Sequence, residues 1–275
     1  MKIKNLALAT AALLGLVGAP ATFACSIAAW NGTAGGTPVA GRPTDATPVS
    51  RYSGQCGLRA AASGTFVADN TPTAEAAFRA RFYVYTGLTG GSAVVYRALN
   101  ASSVEQIGVT YNHGTPGTFS FAIPGATAQT IPANTNAWYA IELNWAAAGT
   151  LTATVRGASG QGAAPAESVV NVTGGTSGGA IDTAQLGWVA GTGVASARGI
   201  VADAYESRRS TAIGRLCRAD ANGSNSVTAG DRTAITLELG GTLAAGQPDC
   251  NEDGNVSAGD RTCVTNLLAA GATCN

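Results

Sequence analysis

After Lys4 the chain has no lysine and after Met1 no methionine, absences to which no function attaches. Charged residues make up only 12% of the sequence and no Lys- or Arg-rich run exists, which removes the electrostatic footprint expected of a nucleic-acid binder. Histidine occurs once, as His113 in the hairpin-type turn Tyr111-Asn-His-Gly-Thr-Pro-Gly117, where it reads as a solvated loop residue. A serine-histidine-acid triad would have to use it, and no Gly-x-Ser-x-Gly elbow supplies the nucleophile. Beyond the first 24 residues no apolar run approaches the roughly 18 residues of a spanning helix, so no membrane span is expected.

The first 24 residues themselves read as an export signal. Lys2 and Lys4 precede an apolar run from Leu6 to Val17, and Thr22-Phe23-Ala24 offers small residues at the two positions a signal peptidase reads. The expected location is therefore secreted, periplasmic or at the cell surface. Cys25 directly after the cut also admits a lipid-attached form, although Thr22-Phe23-Ala24 matches a lipid-attachment box poorly. All six cysteines follow the cut, an even number that favours three disulfides in an exported chain. Cys25 and Cys56 are expected to pair with each other. Cys217, Cys250, Cys263 and Cys274 lie together near the C-terminus, where three pairings remain open.

Two copies of one loop stand 29 residues apart in that region, Asp220-Ala-Asn-Gly-Ser-Asn-Ser-Val-Thr-Ala-Gly-Asp231 and Asp249-Cys-Asn-Glu-Asp-Gly-Asn-Val-Ser-Ala-Gly-Asp260. Calcium takes six to eight hard oxygen ligands, and a twelve-residue loop can supply them from positions 1, 3, 5, 7, 9 and 12. In the first loop those positions hold Asp220, Asn222, Ser224, the carbonyl of Ser226, Thr228 and Asp231. In the second they hold Asp249, Asn251, Asp253, the carbonyl of Asn255, Ser257 and Asp260. Two calcium ions are expected. Turn preference alone would explain the Asp, Asn and Gly residues, but not the ligand spacing or its repetition. The first loop has Asn225 where Gly254 stands in the second, and Asn tolerates positive φ better than most residues. With Ser224 in place of a carboxylate, it should bind more weakly. Each loop then runs into a short stretch with apolar residues at i, i+4, Ile235 and Leu239 in one, Val264 and Leu268 in the other, which predicts two helices with one apolar stripe each.

This loop-then-helix pair, over roughly residues 217–275, resembles the dockerin module of polysaccharide-degrading secretomes. The resemblance implies EF-hand-like calcium loops. Dockerins that dock onto a cohesin usually carry a Ser-Thr type pair at loop positions 10 and 11, whereas both loops here have Ala-Gly, so cohesin is not an expected partner. The region from Cys217 holds seven acids against Arg218, Arg232 and Arg261, a net charge of minus four. So small a unit has little core, and ions and disulfides would supply much of its stability.

Residues 25 to about 55 are rich in Gly, Pro, Thr and Ala and read as an irregular leader. From there to about residue 210, some ten short apolar stretches alternate with Gly, Asn, Pro and Thr turns. In Phe78-Arg79-Ala80-Arg81-Phe82-Tyr83-Val84 the period is two, which predicts one apolar and one wet face. Ten strands with no helical stretch between them predict an antiparallel two-sheet sandwich. The order of Arg51-Tyr-Ser-Gly-Gln-Cys56, Phe78-Arg-Ala-Arg-Phe-Tyr83, Trp138-Tyr-Ala-Ile-Glu-Leu143 and Asp203-Ala-Tyr-Glu-Ser-Arg-Arg209 resembles concanavalin-like (laminin-G-like) jelly rolls over roughly 50–210. That fold hosts lectins, glycosidases and adhesive modules alike.

No alternating acid motif of the sandwich glucanases is present, and a retaining glycosidase needs two carboxylates about 5 Å apart. Glu142 stands alone and reads as a solvated or Arg-paired residue. Asp203 and Glu206, beside Arg208 and Arg209, read as a surface ion-pair cluster. No catalytic residue is assigned. Trp138 and Trp188 lie in strand patterns and read as core, while Trp145, beside Asn144 at a strand end, is the candidate platform for a sugar ring. The expected organisation is a signal (1–24), a mainly β jelly-roll sandwich with its leader (25–210) and a small α-helical dockerin-like module (211–275). The expected function is calcium binding together with binding of a glycan or cell-surface ligand in extracellular polysaccharide use. The alternatives are an extracellular hydrolase of O-glycosyl bonds and a structural or adhesive surface protein.

Overall fold

A computed structural model describes residues 30–35, 37–40, 51–161, 166–176 and 179–274. The expected signal, Cys25 and most of the leader lie outside them. The described residues contain fourteen strands: β1 (Gly32–Ala34), β2 (Thr37–Ala40), β3 (Cys56–Ala60), β4 (Thr65–Asp69), β5 (Ala77–Gly90), β6 (Ser92–Leu99), β7 (Glu105–Asn112), β8 (Gly117–Ala122), β9 (Gln129–Ala133), β10 (Trp138–Ala146), β11 (Thr150–Gly157), β12 (Ser168–Val172), β13 (Thr183–Ala190) and β14 (Val194–Arg208). Two helices follow, α1 (Ala229–Leu239) and α2 (Ala258–Ala269). The strands form two seven-stranded antiparallel sheets, ordered β1-β4-β13-β6-β7-β8-β9 and β12-β11-β10-β5-β14-β3-β2. Among the described residues no helix is long and apolar enough to cross a membrane.

The core between the sheets follows from alternation. Phe78, Ala80, Phe82 and Val84 of β5 point inward to meet Ile141, Leu143 and Trp145 of β10 and Phe119 and Phe121 of β8. The intervening residues do not face water as the alternation predicts. Arg81 is 8% exposed and Tyr83 1%, because a second apolar layer of Tyr52, Tyr85, Trp138, Val201 and Leu216 covers the outer face of this sheet. Tyr52 stacks on Tyr83 at 4.0 Å and meets Trp138 edge-on at 5.6 Å. A strand buried on both faces reads as nearly continuous burial, and β5 does so from Phe78 to Leu88.

Three local readings are corrected. The leader contributes β1 and β2, which pair with β4 and β3 at the edges of the two sheets. The opening strand is Cys56–Ala60 and not Arg51–Cys56, because the amides of Tyr52 and Ser53 donate to Asp203 Oδ2 at 2.6 and 2.9 Å. Asp203 is not part of an ion-pair cluster. It sits on the bulge of β14, 9% exposed, and accepts a third amide from Ala204 at 2.7 Å. Glu206 does pair, with Arg81 and Arg208.

Burial pushes the Asp203 carboxyl up to about 6, against the opposing pull of the three amides and Arg51. A carboxyl whose folded pKa is raised contributes stability that is complete below about 4 and lost as pH climbs through about 6. The shift corresponds to roughly 2–3 kcal/mol. Between pH 4 and 7, Asp203→Asn should therefore gain about that much relative to the parent in urea unfolding, since the other titrating groups cancel in the difference. A flat difference profile would refute the assignment.

Candidate functional site

Both duplicated loops fold into the same cage of backbone amides around their first and last aspartates. Asp220 accepts from the amides of Ser224 and Asn225, each at 2.8 Å, and Asp231 from those of Asn222 at 3.0 Å and Thr228 at 2.7 Å. In the second loop Asp249 accepts from Asp253 at 3.1 Å and Gly254 at 2.9 Å, and Asp260 from Asn251 at 3.2 Å and Ser257 at 2.7 Å. Position 1 thus gathers the amides of positions 5 and 6, and position 12 those of 3 and 9. The turn at position 6 needs a left-handed residue, and Asn225 (φ 59°) and Gly254 (φ 88°) supply it.

Thr228 and Ser257 at position 9 are the N-caps of α1 and α2, each closing a capping box with Asp231 or Asp260. Capping explains positions 9 and 12 without an ion. It does not explain positions 1, 3 and 5. Asp220, Asp231, Asp249 and Asp260 are buried, whereas Asn222 and Asn251 are half-buried and Ser224 and Asp253 exposed, so each cage opens to solvent on one side. Burial first, then the crowding of Asp260, Asp253 and Glu252, pushes the Asp249 carboxyl up to about 8. Such a donor set fits a hard cation, which relieves like-charge repulsion inside a buried cage. Among the described residues no group of three or more His, Cys, Asp or Glu side chains is placed to hold a metal. An ion here would therefore depend on amide, hydroxyl and main-chain oxygens beside the carboxylates.

The helices close over the loops. Ile235 and Val264 meet Ala219, Ala221, Cys250 and Val256 in a small separate core, with Leu239 and Leu268 packed against it. Disulfides Cys217–Cys274 and Cys250–Cys263 brace it, which selects one of the three open pairings. Cys56 is also disulfide-bonded, and its expected partner Cys25 lies outside the described residues.

This C-terminal unit is fastened to the outer face of the β5 sheet by polar contacts that the sequence did not announce. Arg51 donates through Nη2 to both carboxylate oxygens of Glu238 at 2.7 and 2.9 Å, with both side chains fully buried. Glu252, at the non-ligand fourth position of the second loop, turns the other way with φ 57°. It accepts from Tyr52 Oη at 3.0 Å, Arg215 Nη2 at 2.8 Å, Ser159 Oγ at 3.2 Å and the Ser159 amide at 3.3 Å. Burial pushes the Tyr52 hydroxyl well above the usual tyrosine range, so it stays a donor. Gly160 lies so close that a Cβ there would stand 2.6 Å from backbone atoms of Asn251, Glu252 and Asp253. Glu142 is half-buried and, among the described residues, lies in no ion pair: it accepts the amides of Ile213 at 2.9 Å and Gly214 at 3.2 Å and pins the connector.

The candidate sugar platform is not available. Trp145 is 3% exposed inside the sandwich core, and Asn144, its neighbour on β10, is exposed on the opposite face, because consecutive strand residues alternate. Trp138 and Trp188 are buried as expected. His113 is half-buried in its turn, its amide donating to Gly91 at 2.9 Å.

No protein-family model matches the chain, and no curated protein does. Among solved structures, a Trypanosoma rangeli sialidase with the inhibitor DANA is similar over 65% of this chain and 31% of that one, at 12% identity and a TM-score of 0.38. The botulinum neurotoxin serotype D ligand binding domain in complex with N-acetylneuraminic acid is similar over 65% and 43%, at 6% identity and a TM-score of 0.37. The enzymatically active domain of bacteriophage CBA120 tailspike protein 2 is similar over 60% and 26%, at 11% identity and a TM-score of 0.39. The chain thus spans less than half the length of each, and a likeness at this level carries no argument about function.

Proposed function

We propose that the chain is an exported calcium-binding protein in which two ion-loaded loops hold a dockerin-like C-terminal unit, residues 211–275, against a β-sandwich that binds a glycan or another surface ligand. The observation that carries the calcium part is the repetition of one amide cage, position 1 with 5 and 6 and position 12 with 3 and 9, in two loops whose oxygens at positions 3 and 5 are half-buried or exposed. The glycan part is supported by a groove beside the junction that mixes guanidinium groups with aliphatic walls, the composition that small-ligand sites use. Docking in cis is supported by the Arg51–Glu238 and Glu252 contacts, and Ala229-Gly230 and Ala258-Gly259 offer no hydroxyl to a cohesin surface.

Titration calorimetry of the full chain should find two calcium ions. Asp249→Asn with Asp260→Asn should abolish the tighter site, and Asp220→Asn with Asp231→Asn the weaker. Absence of calcium uptake by the intact, disulfide-bonded protein would end the calcium reading. Glycan-array binding without release of reducing sugar supports the sandwich reading. Reducing-sugar release would move the assignment to a hydrolase, and neither result would leave the adhesive alternative.

A further inference from the structure

Between β11 and the C-terminal unit runs a groove of about 330 Å³, near the lower end of the ~300–1,000 Å³ typical of small-ligand sites. Three arginines line it, Arg156, Arg215 and Arg218. Arg156 and Arg215 also line an adjoining small pocket of about 50 Å³, where Arg81, paired with Glu206, adds a fourth arginine and Glu142 a carboxylate. Arginines from a strand, a connector and the head of a calcium loop meet here although the sequence has no basic run. Leu216, Val227 and Leu267 form the apolar wall.

The positive charge is only partly neutralised. Arg218 has no carboxylate partner among the described residues, and its Nη2 lies 3.9 Å from Cys263 Sγ. Arg156 pairs with Glu167, but both ends are well exposed, and such pairs contribute little and exchange readily for another carboxylate. Arg215 gives Nη2 to Glu252 while its Nε is buried without a partner, and so is Nε of Arg81. A buried N–H left open asks for an acceptor. Guanidinium forks match planar carboxylates in bidentate fashion, and an aliphatic wall suits the C–H face of a sugar ring.

We infer that this groove is a binding site for acidic glycans, with the carboxylate of a uronic acid received by Arg156 and Arg218 and the ring laid on Leu216 and Leu267. The inference rests on the reading that the sandwich region binds glycan, and it names the class. Calcium loading would strengthen the site, since two divalent ions offset four of the seven acidic charges in the neighbouring loops and helices.

The test is calorimetry on the full-length, calcium-loaded protein with oligogalacturonate, a neutral gluco-oligosaccharide of equal length, and free galacturonate. Oligogalacturonate should bind at least tenfold tighter than the neutral chain, and Arg218→Ala, at an exposed position, should weaken it about tenfold with melting unchanged. Arg156→Ala should weaken it similarly. If the neutral chain binds as well as the acidic one, this inference fails while the glycan reading stands. If neither binds, both fail. If free galacturonate binds as tightly as the oligomer the site takes small anions only, and if duplex DNA competes equally it is an unspecific polyanion surface; either result overturns the assignment.

Discussion

EGTA added to the full-length protein should release the C-terminal unit from the sandwich while the sandwich itself stays folded. If the loops hold calcium as proposed, withdrawing it would leave the buried aspartates of each cage without a counter-charge, and the second cage is also the clasp. Its residue 252 stands in a left-handed conformation between Asn251 and Asp253, and only that turn delivers its carboxylate to Tyr52, Ser159 and Arg215. A ligand at a hundred times its dissociation constant stabilises the state it binds by about 2.7 kcal/mol. Two loops would then contribute roughly 5 kcal/mol, as much as the whole stability of a small domain. Small-angle scattering should show the radius of gyration rising on chelation, and calorimetry should split one transition into two. Gly160→Ala reaches the same state by another route. Its backbone is not left-handed, so alanine suits the free sandwich, yet its Cβ would press on the second loop. By linkage that variant should also weaken calcium at the second loop, by the factor with which calcium favours docking. Unchanged scattering and melting after chelation would sink the coupling.

The second large effect is expected at Arg51 and Glu238. Removing one member of a fully buried ion pair leaves an uncompensated charge, which costs about 3–5 kcal/mol. Glu238 also accepts the Ala244 amide, and Arg51 donates to the Gly54 carbonyl, so each partner serves two elements. Arg51→Met and Glu238→Leu should each cost that much in urea unfolding. The double variant Arg51→Met with Glu238→Leu should lose far less than the sum, because neither member of the pair is left uncompensated, while the Ala244 amide and Gly54 carbonyl lose a partner at roughly 1–3 kcal/mol each. Additive losses in this cycle would mean that the two groups do not interact.

Local pattern made part of this molecule legible. Every one of the ten apolar stretches read between residues 65 and 205 lies on a strand, because alternation reports the pleat directly. β9 escaped since Gln129-Thr-Ile-Pro-Ala133 has one buried isoleucine and a proline, which a sheet edge tolerates and a sequence pattern rejects. The cages were legible because duplication fixes their spacing. What fastens them was not. Arg51 meets Glu238 across 187 positions, Tyr52 meets Glu252 across 200, and Ile213 meets Glu142 across 71, and no short-range signal distinguishes an acid with such a partner from a solvated one. The wet face expected of β5 was wrong for the same reason, as its cover comes from the opening bend and the connector before Cys217.

The Cys217–Cys274 bridge joins positions 57 residues apart, and it changes how the unit would bear mechanical load. A pull applied at Cys274 passes through sulfur to Cys217 and then to the connector, bypassing both helices and both loops. The tension falls instead on the amides of Ile213 and Gly214 held by Glu142 and on the Leu216 amide held by the Tyr83 hydroxyl. In a force experiment the unit should peel from the sheet in one step with its contour length intact, and lengthening through the helices should begin only after a reductant opens the bridge.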